Sequence, residues 1–597
     1  MQTICSDTQI DIEKPFKISA GPGAGKTRFL INHIKNVLSN SNRLNAANKI
    51  ACITYTNIAV EEIKTRLEDK SERVDVSTIH SFLYRNLVKP YAYLAKDNEN
   101  NPIIIDMKEL DGHEEHQPSY TIIQEWLNAC SGNNAYLYKD KNKLSILRKL
   151  LSSLKYNLTE EEINLNFSRD MISEKRSIMF PSQRIQSEDF LNYKKMYWKK
   201  GIIDHEDVLY LSYQLLKQNP NLVDFVRCKY PYMFIDEFQD TNPIQTEIVK
   251  MLASSKCIIG VIGDYNQSIY GFQGAKPEDF RDFSVEGLSE YNITDNWRST
   301  KKIINILNKF IDTPQECKRN VEGAIPSIVV GNIQNAISFI KEKEANYTSQ
   351  NFTSVILTKD NKDLCRIKAS LNFQTQYSEN LWSIFKDKEG SSGKCRFFTI
   401  QQVLMSYQQA KDKKFELALN EILKLFKKEP FNTINDKLKQ RAISLEILEF
   451  FINYNSISEK TIKEFYIQLK EKLNTFGIRL SDYRAGQAAN FAEEHSVGDM
   501  LEHLKITEYK TEASTIHGAK GTEYNMVSLF IFDDGYNKAE NKLKTFINAA
   551  NMQNERHRIK FVALSRAQDY LYIVVPELTE ENEQIIKSTQ LYKIERI

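Results

Sequence analysis

Short apolar runs ending in small, polar or acidic residues recur along the chain, and amphipathic segments separate them. Phe16 to Ala20 alternates in the manner of a short strand, and Thr27 to Leu38 then places Leu30, Ile34 and Leu38 at helical spacing. Lys49 to Ile53 is a second strand, followed by a helix with Val60, Ile63 and Leu67 on one face, and Val74 to Thr78 is a third. The same rhythm returns at Tyr232–Asp240, Cys257–Asp264, Glu290–Thr294, Ser327–Val330, Ser354–Thr358, Met526–Phe532 and Tyr570–Val575, the last expected to close a sheet. Strand–helix alternation predicts an α/β fold with parallel sheets and right-handed crossovers, whose ligands bind at the carboxyl ends of the strands.

Two stretches break the rhythm. Residues 90–200 are polar and Asn-rich, with helical segments at Lys141–Leu154 and Glu188–Lys200. The second of these interleaves Phe190, Tyr193, Tyr197 and Trp198 with lysines. Such a helix would suit a nucleic-acid surface, but the favoured reading is an amphipathic helix with its rings in a core. Residues 376–505 carry the stripes Phe415, Leu419, Ile422, Phe426 and Ile462, Phe465, Leu469, Leu473, read as core faces. Both stretches are expected to be mainly helical inserts in the sheet domains. The division is 1–89 with 201–285, the insert 90–200, then 286–375 with 506–597, and the insert 376–505.

Chemistry enters at the first strand. Ala20-Gly21-Pro22-Gly23-Ala24-Gly25-Lys26-Thr27 follows it and opens a helix, which is the context a phosphate-binding loop requires. Glycines let backbone N–H groups curl round phosphates, and the helix N-terminus adds partial positive charge. The nucleotide cradle is therefore expected at Gly21, Pro22, Gly23, Ala24, Gly25, Lys26, Thr27 and Arg28. Lys26 would reach the β- and γ-phosphates of ATP and Thr27 would hold Mg²⁺. Ala20 takes the place of the first glycine of the generic pattern. Gln9, upstream, would read the adenine edge or is simply an exposed polar residue. Tyr232 to Asp240 is a hydrophobic strand ending in acids: Asp236 is placed to hold the metal with Thr27, and Glu237 to orient and deprotonate the attacking water. Gln267 would contact the γ-phosphate or its water, and Tyr270 and Phe272 would stack on bases from the same loop.

Composition narrows the class. Of 597 residues, 41% are hydrophobic and 26% charged, as in ordinary globular proteins, and the length implies several domains. No run of eighteen apolar residues occurs, so no membrane partner is expected, and residues 1–15 lack a signal-like apolar core. Eight scattered cysteines without a CxxC pair argue against a zinc site, an iron–sulfur cluster or a disulfide framework, and fit a reduced cytoplasm. The net charge of +2 means that any basic surface is local.

Eight motifs stand in a recognisable order. They are the phosphate loop, Thr54-Tyr55-Thr56-Asn57, Thr78-Ile79-His80-Ser81-Phe82, Asp236-Glu237-Phe238-Gln239-Asp240, Gly263 to Ala275, Asn296-Trp297-Arg298-Ser299, Thr515 to Glu523 and Val562 to Ala567. In these the chain resembles superfamily 1A helicases of the UvrD/Rep/PcrA type over residues 9–575. The resemblance implies two RecA-like parallel-sheet P-loop lobes with ATP between them, each lobe bearing a mainly helical insert. It implies catalytic roles for Lys26, Asp236, Glu237 and Gln267 in the first lobe and for Arg298 and Arg566, as γ-phosphate arginines, in the second. Trp297 stands where the family has an adenine-stacking tyrosine, and Glu523 where a ribose contact is made. Tyr55, Asn57, His80, Tyr270, Phe272 and His517 fall on the DNA side. The Thr515–Glu523 form looks like the 3′→5′ branch.

Three departures stand out: Gln273 replaces the family's arginine, Ser565 replaces a threonine, and the second insert is short. Size and layout also resemble the helicase-like subunits of Gabija-type anti-phage systems, which implies an OLD-family nuclease as partner. Two readings follow: an ATP-driven 3′→5′ helicase or translocase on single-stranded or tailed DNA, in repair or defence, and an ATP-gated DNA-end sensor that regulates a nuclease without productive unwinding. An RNA helicase is a third, disfavoured by the DNA-type motif forms.

Overall fold

The first sheet is built from strands with few exposed positions. Its seven members are β1 (Gln2–Thr3), β2 (Phe16–Ala20), β3 (Ile50–Thr54), β4 (Val74–Thr78), β7 (Tyr232–Ile235), β8 (Ile258–Gly263) and β9 (Ser289–Ile293). They run parallel in the order β1-β9-β2-β8-β7-β3-β4. Both faces are covered, which is why the runs read as continuously apolar. Met233 and Ile235 go to one layer, and Tyr232 and Phe234 to the other. The computed structural model describes residues 1–96, 101–104, 107, 110, 116–130, 134, 136–159, 162–167, 187–347, 352–371, 381–390, 393–411, 415–427, 429–434, 436–454, 456–501, 513–533, 538–547 and 551–597.

An antiparallel hairpin, β5 (Leu154–Thr159) with β6 (Glu162–Phe167), lies inside the first expected insert, among helices. The helix Ser187–Trp198 buries Phe190, Tyr193, Tyr197 and Trp198, so its rings belong to a core. Lys194 is buried with them and pairs with Asp207 at 2.9 Å and with Asp204. Asp204 caps the helix His205–Gln218 and meets His116 Nδ1 at 3.0 Å. A buried ammonium is tolerable only with such partners.

Two short strands, β10 (Asp295–Asn296) and β11 (Glu316–Cys317), pair with each other. The second sheet contains β12 (Ser327–Val330), β13 (Ser354–Thr358), β14 (Ala513–Thr515), β15 (Tyr524–Phe530), β16 (Ala567–Val575) and β17 (Lys593–Arg596), ordered β14-β13-β15-β16-β12-β17. Its apolar cluster includes Ile328, Leu357, Val527, Ile573 and Phe561.

Two expectations need correction. The strand at 289–293 does not open the second lobe at residue 286: it lies between β1 and β2, Tyr291 level with Ile18, so the first sheet extends to Ile293. Nor does the strand ending at Val575 close the second sheet. β17 pairs with β12 beyond it, Ile594 level with Ile328.

The chain divides into two compact units. One (1–332, 342–359 and 515–597) holds the first sheet and all of the second but the start of β14. The other covers 333–341 and 360–514, wider than the expected insert 376–505. The second unit is built from helices, among them Leu381–Glu389, Lys394–Lys411, Phe415–Leu423, Lys437–Ile452 and Ile462–Thr475. Leu419, Ile422, Phe426, Ile462, Phe465, Leu469 and Leu473 are buried there as expected. Phe415 is not: it begins its helix and is 59% exposed, one turn beyond the packed stretch. Arg396 grips Glu389 in a bidentate pair, at 2.5 and 2.8 Å, and lies 4.0 Å from the Tyr483 ring.

Candidate ATP and nucleic-acid site

The phosphate loop leaves β2 at Ala20 and enters the helix Lys26–Asn40. Gly23 and Gly25 hold φ of 68° and 85°, a conformation that favours glycine. The helix starts without a side-chain cap and without an acid in its first turn, so its N-terminal amides and dipole face the loop uncompensated. Lys26 Nζ donates to the carbonyl oxygens of Ala20 (3.1 Å) and Gly21 (3.3 Å). Arg28 is held on the flank by Asp7 through two bonds of 2.8 Å. Gln9 is exposed and lines a cavity of about 460 Å³ with Asp7, Asn32 and Asn36.

The tip of β7 supplies the acids. The Asp236 amide donates to Ile53 O (2.8 Å), continuing the ladder for one residue. Glu237 then turns into the left-handed region, φ 55° and ψ 38°, which costs on the order of 1–3 kcal/mol for a non-glycine residue and concentrates at functional sites. The turn brings the Glu237 amide onto Asp236 Oδ1 (3.0 Å). Burial and the neighbouring Glu237 charge push the Asp236 carboxyl up. Burial acts the same way on Glu237, but Lys26, Lys520 and the Gln239 amide outweigh it and hold this carboxylate below its usual range.

A chain of polar contacts runs on from there. Gln239 Nε2 donates to Glu237 Oε2 (2.5 Å), and its carbonyl accepts from the Asp264 amide (2.9 Å). Gln267 Nε2 donates to Asp264 Oδ2 (2.7 Å), and Gln267 Oε1 accepts from Arg566 Nη2 (2.6 Å). The last bond crosses between the two sheets. Arg566 is 2% exposed, and burial together with the nearby Arg298 lowers its pKa to about 9. Arg298 Nε pairs with Glu523 Oε2 (2.6 Å), and Arg298 Nη1 donates to Ser565 O (3.0 Å). Lys520 bridges the same gap, with Asp240 Oδ2 at 2.5 Å and Gln267 O at 2.7 Å.

The end of β10 and the residue before β11 also clasp the phosphate loop. Asn296 Nδ2 and Gln315 Nε2 each donate to Pro22 O at 3.0 Å, and the Trp297 amide to Gly23 O at 2.9 Å. A Cβ on Gly23 would lie 2.6 Å from Arg298 Cβ, so the approach requires glycine. The Trp297 ring is 53% exposed, available to stack.

On the other side of the same loops the side chains are rings. Tyr55 and Tyr270 stack at 4.8 Å, with 23° between their planes. The Tyr55 hydroxyl donates to Gln273 Oε1. Lys520 Nζ lies 4.7 Å from the Tyr270 ring. Phe272 is 46% exposed and meets His517 edge-on at 5.4 Å, while His517 Nε2 lies 3.2 Å from Ile269 O. Tyr55, Asn57, His80 and Gln273 line a cavity of about 770 Å³, in which His80 stacks on His205 at 3.5 Å.

The expected site residues thus form two groups on opposite sides of shared loops. Gln9 and Arg28 stand on the flank of the first. Asp264, Gln239, Lys520, Gln315 and His205 were not anticipated. Gln239 and Lys520 sit inside quoted motifs, whereas Gln315 and His205 lie in unpatterned stretches. The donor set fits a polyphosphate with a hard divalent cation: an uncapped helix start beside Lys26, and a buried carboxyl, Asp236, lifted by burial beside a second carboxylate. Among the described residues no helix is long and apolar enough to cross a membrane.

Comparison with known proteins gives the same outline. The model of the UvrD/REP helicase N-terminal domain matches residues 4–286, and that of the UvrD-like helicase C-terminal domain matches residues 455–577. A probable DNA helicase II homolog of Mycoplasma pneumoniae is 26% identical, the match covering 93% of this chain and 81% of that protein. The ATP-dependent DNA helicase PcrA of Staphylococcus aureus is 23% identical over 96% of this chain and 83% of its own length.

Proposed function

The chain belongs to the UvrD/Rep family of ATP-dependent DNA helicases, and we propose that it is a Mg²⁺-dependent motor that moves 3′→5′ along single-stranded DNA. The observation that carries this is the Gln267–Arg566 bond, a direct link between the two sheets at the end of a polar chain that begins at Glu237.

In this reading the first-turn amides and Lys26 bind the triphosphate, and Trp297 stacks on the base. Thr27 and Asp236 hold Mg²⁺, which when bound neutralises developing phosphate charge. Glu237 is the carboxylate kept ionised beside Lys26 and Lys520, and it accepts the proton of the attacking water. Gln239 holds Glu237 by one oxygen and leaves the other to act. Arg566 and Arg298 answer the charge that builds on the transferring phosphoryl group. To do so Arg298 leaves Glu523 and Arg566 leaves Gln267, so the bonds between the sheets differ with and without nucleotide. That exchange opens and closes the cleft. The ring platform on the reverse of the same loops then shifts against DNA, since Gln267 and Tyr270 are three residues apart. Stacking suits a motor that must pass every sequence, because every base has a π-face.

The test is ATP hydrolysis with and without single-stranded DNA, beside unwinding of 3′-tailed and 5′-tailed duplexes, in wild type and Glu237→Gln. DNA-stimulated hydrolysis with unwinding of the 3′-tailed substrate alone, both lost in Glu237→Gln, is expected. Stimulated hydrolysis without strand separation on either tail would replace the motor with the nuclease-regulating sensor, with an OLD-family nuclease as the partner to seek.

A further inference from the structure

The loop 264–273 leaves the first sheet at β8, yet its backbone is held from the second lobe. The helix Glu555–Leu564 does most of this, at both of its ends. Arg566, two residues past its C-terminal end, donates to Gln267 Oε1 (2.6 Å). One loop residue on, Arg558 Nε donates to Ser268 O (2.6 Å). Arg558 is 4% exposed, and its Nη1 is anchored on Met552 O (2.8 Å) and Gln553 O (2.9 Å). At the N-terminal end Glu555 Oε1 accepts from the Gly271 amide (2.9 Å). Ten helical residues span roughly 15 Å at 1.5 Å each, so these contacts are spread along a rod and not gathered at one point.

The Glu555 contact has no part in the nucleotide network. The Gly271 amide opens the short 3₁₀ turn Gly271–Gln273 and has no acceptor within that turn. The carboxylate supplies one from across the gap between the sheets, as a charge-assisted bond. A Cβ on Gly271 would lie 2.7 Å from Glu555 Oε1 and 3.0 Å from Oε2, so a side chain there would push the carboxylate away. An acid in a first helical turn also favours the helix dipole. Here the helix start is already capped by Asn554, whose side chain accepts from the Arg556 amide at 3.0 Å, and Glu555 serves the loop as well. Tyr270 and Phe272 flank Gly271, so anchoring its amide fixes the backbone from which both rings project.

We propose that Glu555 is a positioning residue that couples the ring loop to Arg566, an inference that rests on the motor reading above. A base stacked on the rings moves Gly271, Glu555 passes the displacement to the start of its helix, and the helix carries it to Arg566. That is the arginine that must leave Gln267 for the phosphoryl group. DNA thereby sets the arginine, and nucleotide sets the rings, as one linkage acting in both directions. Glu555 itself touches neither ligand.

Steady-state ATP hydrolysis by the full chain, with and without oligo(dT), reads the first direction. Glu555→Ala is expected to keep the basal kcat and the KM for ATP and to lose about tenfold in stimulation by DNA, the scale of one hydrogen bond to a charged group. Glu555→Gln keeps an acceptor oxygen for the Gly271 amide without the charge. It is expected to retain most of the stimulation, which a residue acting only on the helix dipole would not. Hydrogen exchange of residues 269–273 reads the other direction in the absence of DNA. Adding a non-hydrolysable ATP analogue with Mg²⁺ is expected to change that exchange in wild type and Glu555→Gln but not in Glu555→Ala. Full stimulation in Glu555→Ala, equal losses in the two variants, or a basal kcat that falls with the stimulated one overturns the proposal. So does an exchange response that wild type lacks or that Glu555→Ala keeps. A wild type that hydrolyses ATP and ignores DNA strikes the motor reading alone, and the exchange experiment then decides the coupling by itself.

Discussion

The two sides of the loops between the sheets are built from different materials. On the side proposed for the nucleotide, side chains are held by fixed polar partners: Glu237 by Gln239, Gln267 by Arg566, Arg298 by Glu523, Lys520 by Asp240. On the reverse side rings lean on rings, Tyr55 on Tyr270 and Phe272 on His517. Phosphoryl transfer gains most from dipoles already in place when charge develops. Binding any sequence gains nothing from fixed polar partners, which would favour one base over another. The same short loop, 264–273, carries both, and in the proposed function it ties a switching network to a tolerant one.

The largest way to break this contrast is to remove a charge from the first side. Arg566→Ala is expected to lower kcat for hydrolysis by about 10³–10⁵, the usual scale for an arginine on a transferring phosphoryl group. Glu237→Gln is expected to lose about 10²–10⁴. Steady-state ATPase assays at saturating nucleotide measure both. If Arg566→Ala kept kcat and raised KM alone, the Gln267–Arg566 bond would be a structural tie and not part of a switch.

The next effect concerns a polar group that breaks the first side's own rule. His33 lies in the helix that starts at the phosphate loop, 3% exposed, with neither ring nitrogen hydrogen-bonded among the described residues. Phe16, Phe29 and Phe234 surround it at 4.9 to 5.7 Å. Burial lowers its pKa to about 4 from 6.5. Since the folded value is depressed, the unfolded chain takes up the proton first. Stability is whole above pH 6.5 and falls as pH drops towards 4, by about 3 kcal/mol in all. His33→Phe should remove that loss. Hydrogen exchange of the helix Lys26–Asn40 at pH 7.5 and pH 5 reads it directly, and equal acid sensitivity in both proteins would show that His33 finds a partner in solution.

How far these features could be read from the sequence depends on whether their cause is local. The phosphate loop, the acid-tipped strand and the alternation of strands and helices are properties of a dozen neighbouring residues, and the structure has them where the pattern put them. The strand 289–293 was assigned to the wrong sheet because a strand's pairing is not written in the strand. Tyr291 finds Ile18 across more than 270 residues. The same holds for the site: Gln315 reaches Pro22 from a position with no local signature, and the motifs that carry Gln267 and Arg566 do not say that these two side chains meet. Phe415 misled for the opposite reason. Its helical spacing is regular, but a stripe does not say at which turn packing stops.

On the reverse side effects should be smaller. Tyr270→Ala removes one ring of the stacked pair and is expected to cost about 1–3 kcal/mol in affinity for a single-stranded oligonucleotide, the usual worth of one stacked base. Fluorescence anisotropy without nucleotide measures it. An unchanged affinity would leave Tyr55–Tyr270 as an internal support and move the DNA path towards Phe272.

The smallest change tests whether that side lacks charge by design. Gln273 is exposed and accepts the Tyr55 hydroxyl, at the position where the resemblance expects an arginine. In Gln273→Arg the acceptor is lost and a cation appears beside the stacked pair. If the phosphate backbone passes there, one more counterion is released on binding, and the slope of log K against log salt should steepen by about 0.7. Affinity should then rise at low salt and converge with wild type as salt increases. If both slope and affinity stay as they were, position 273 stands clear of the phosphates. Its amide then serves only to hold the Tyr55 ring flat against Tyr270, which would make the two sides of the loop more alike: each would be fixed by a glutamine, Gln267 on one and Gln273 on the other.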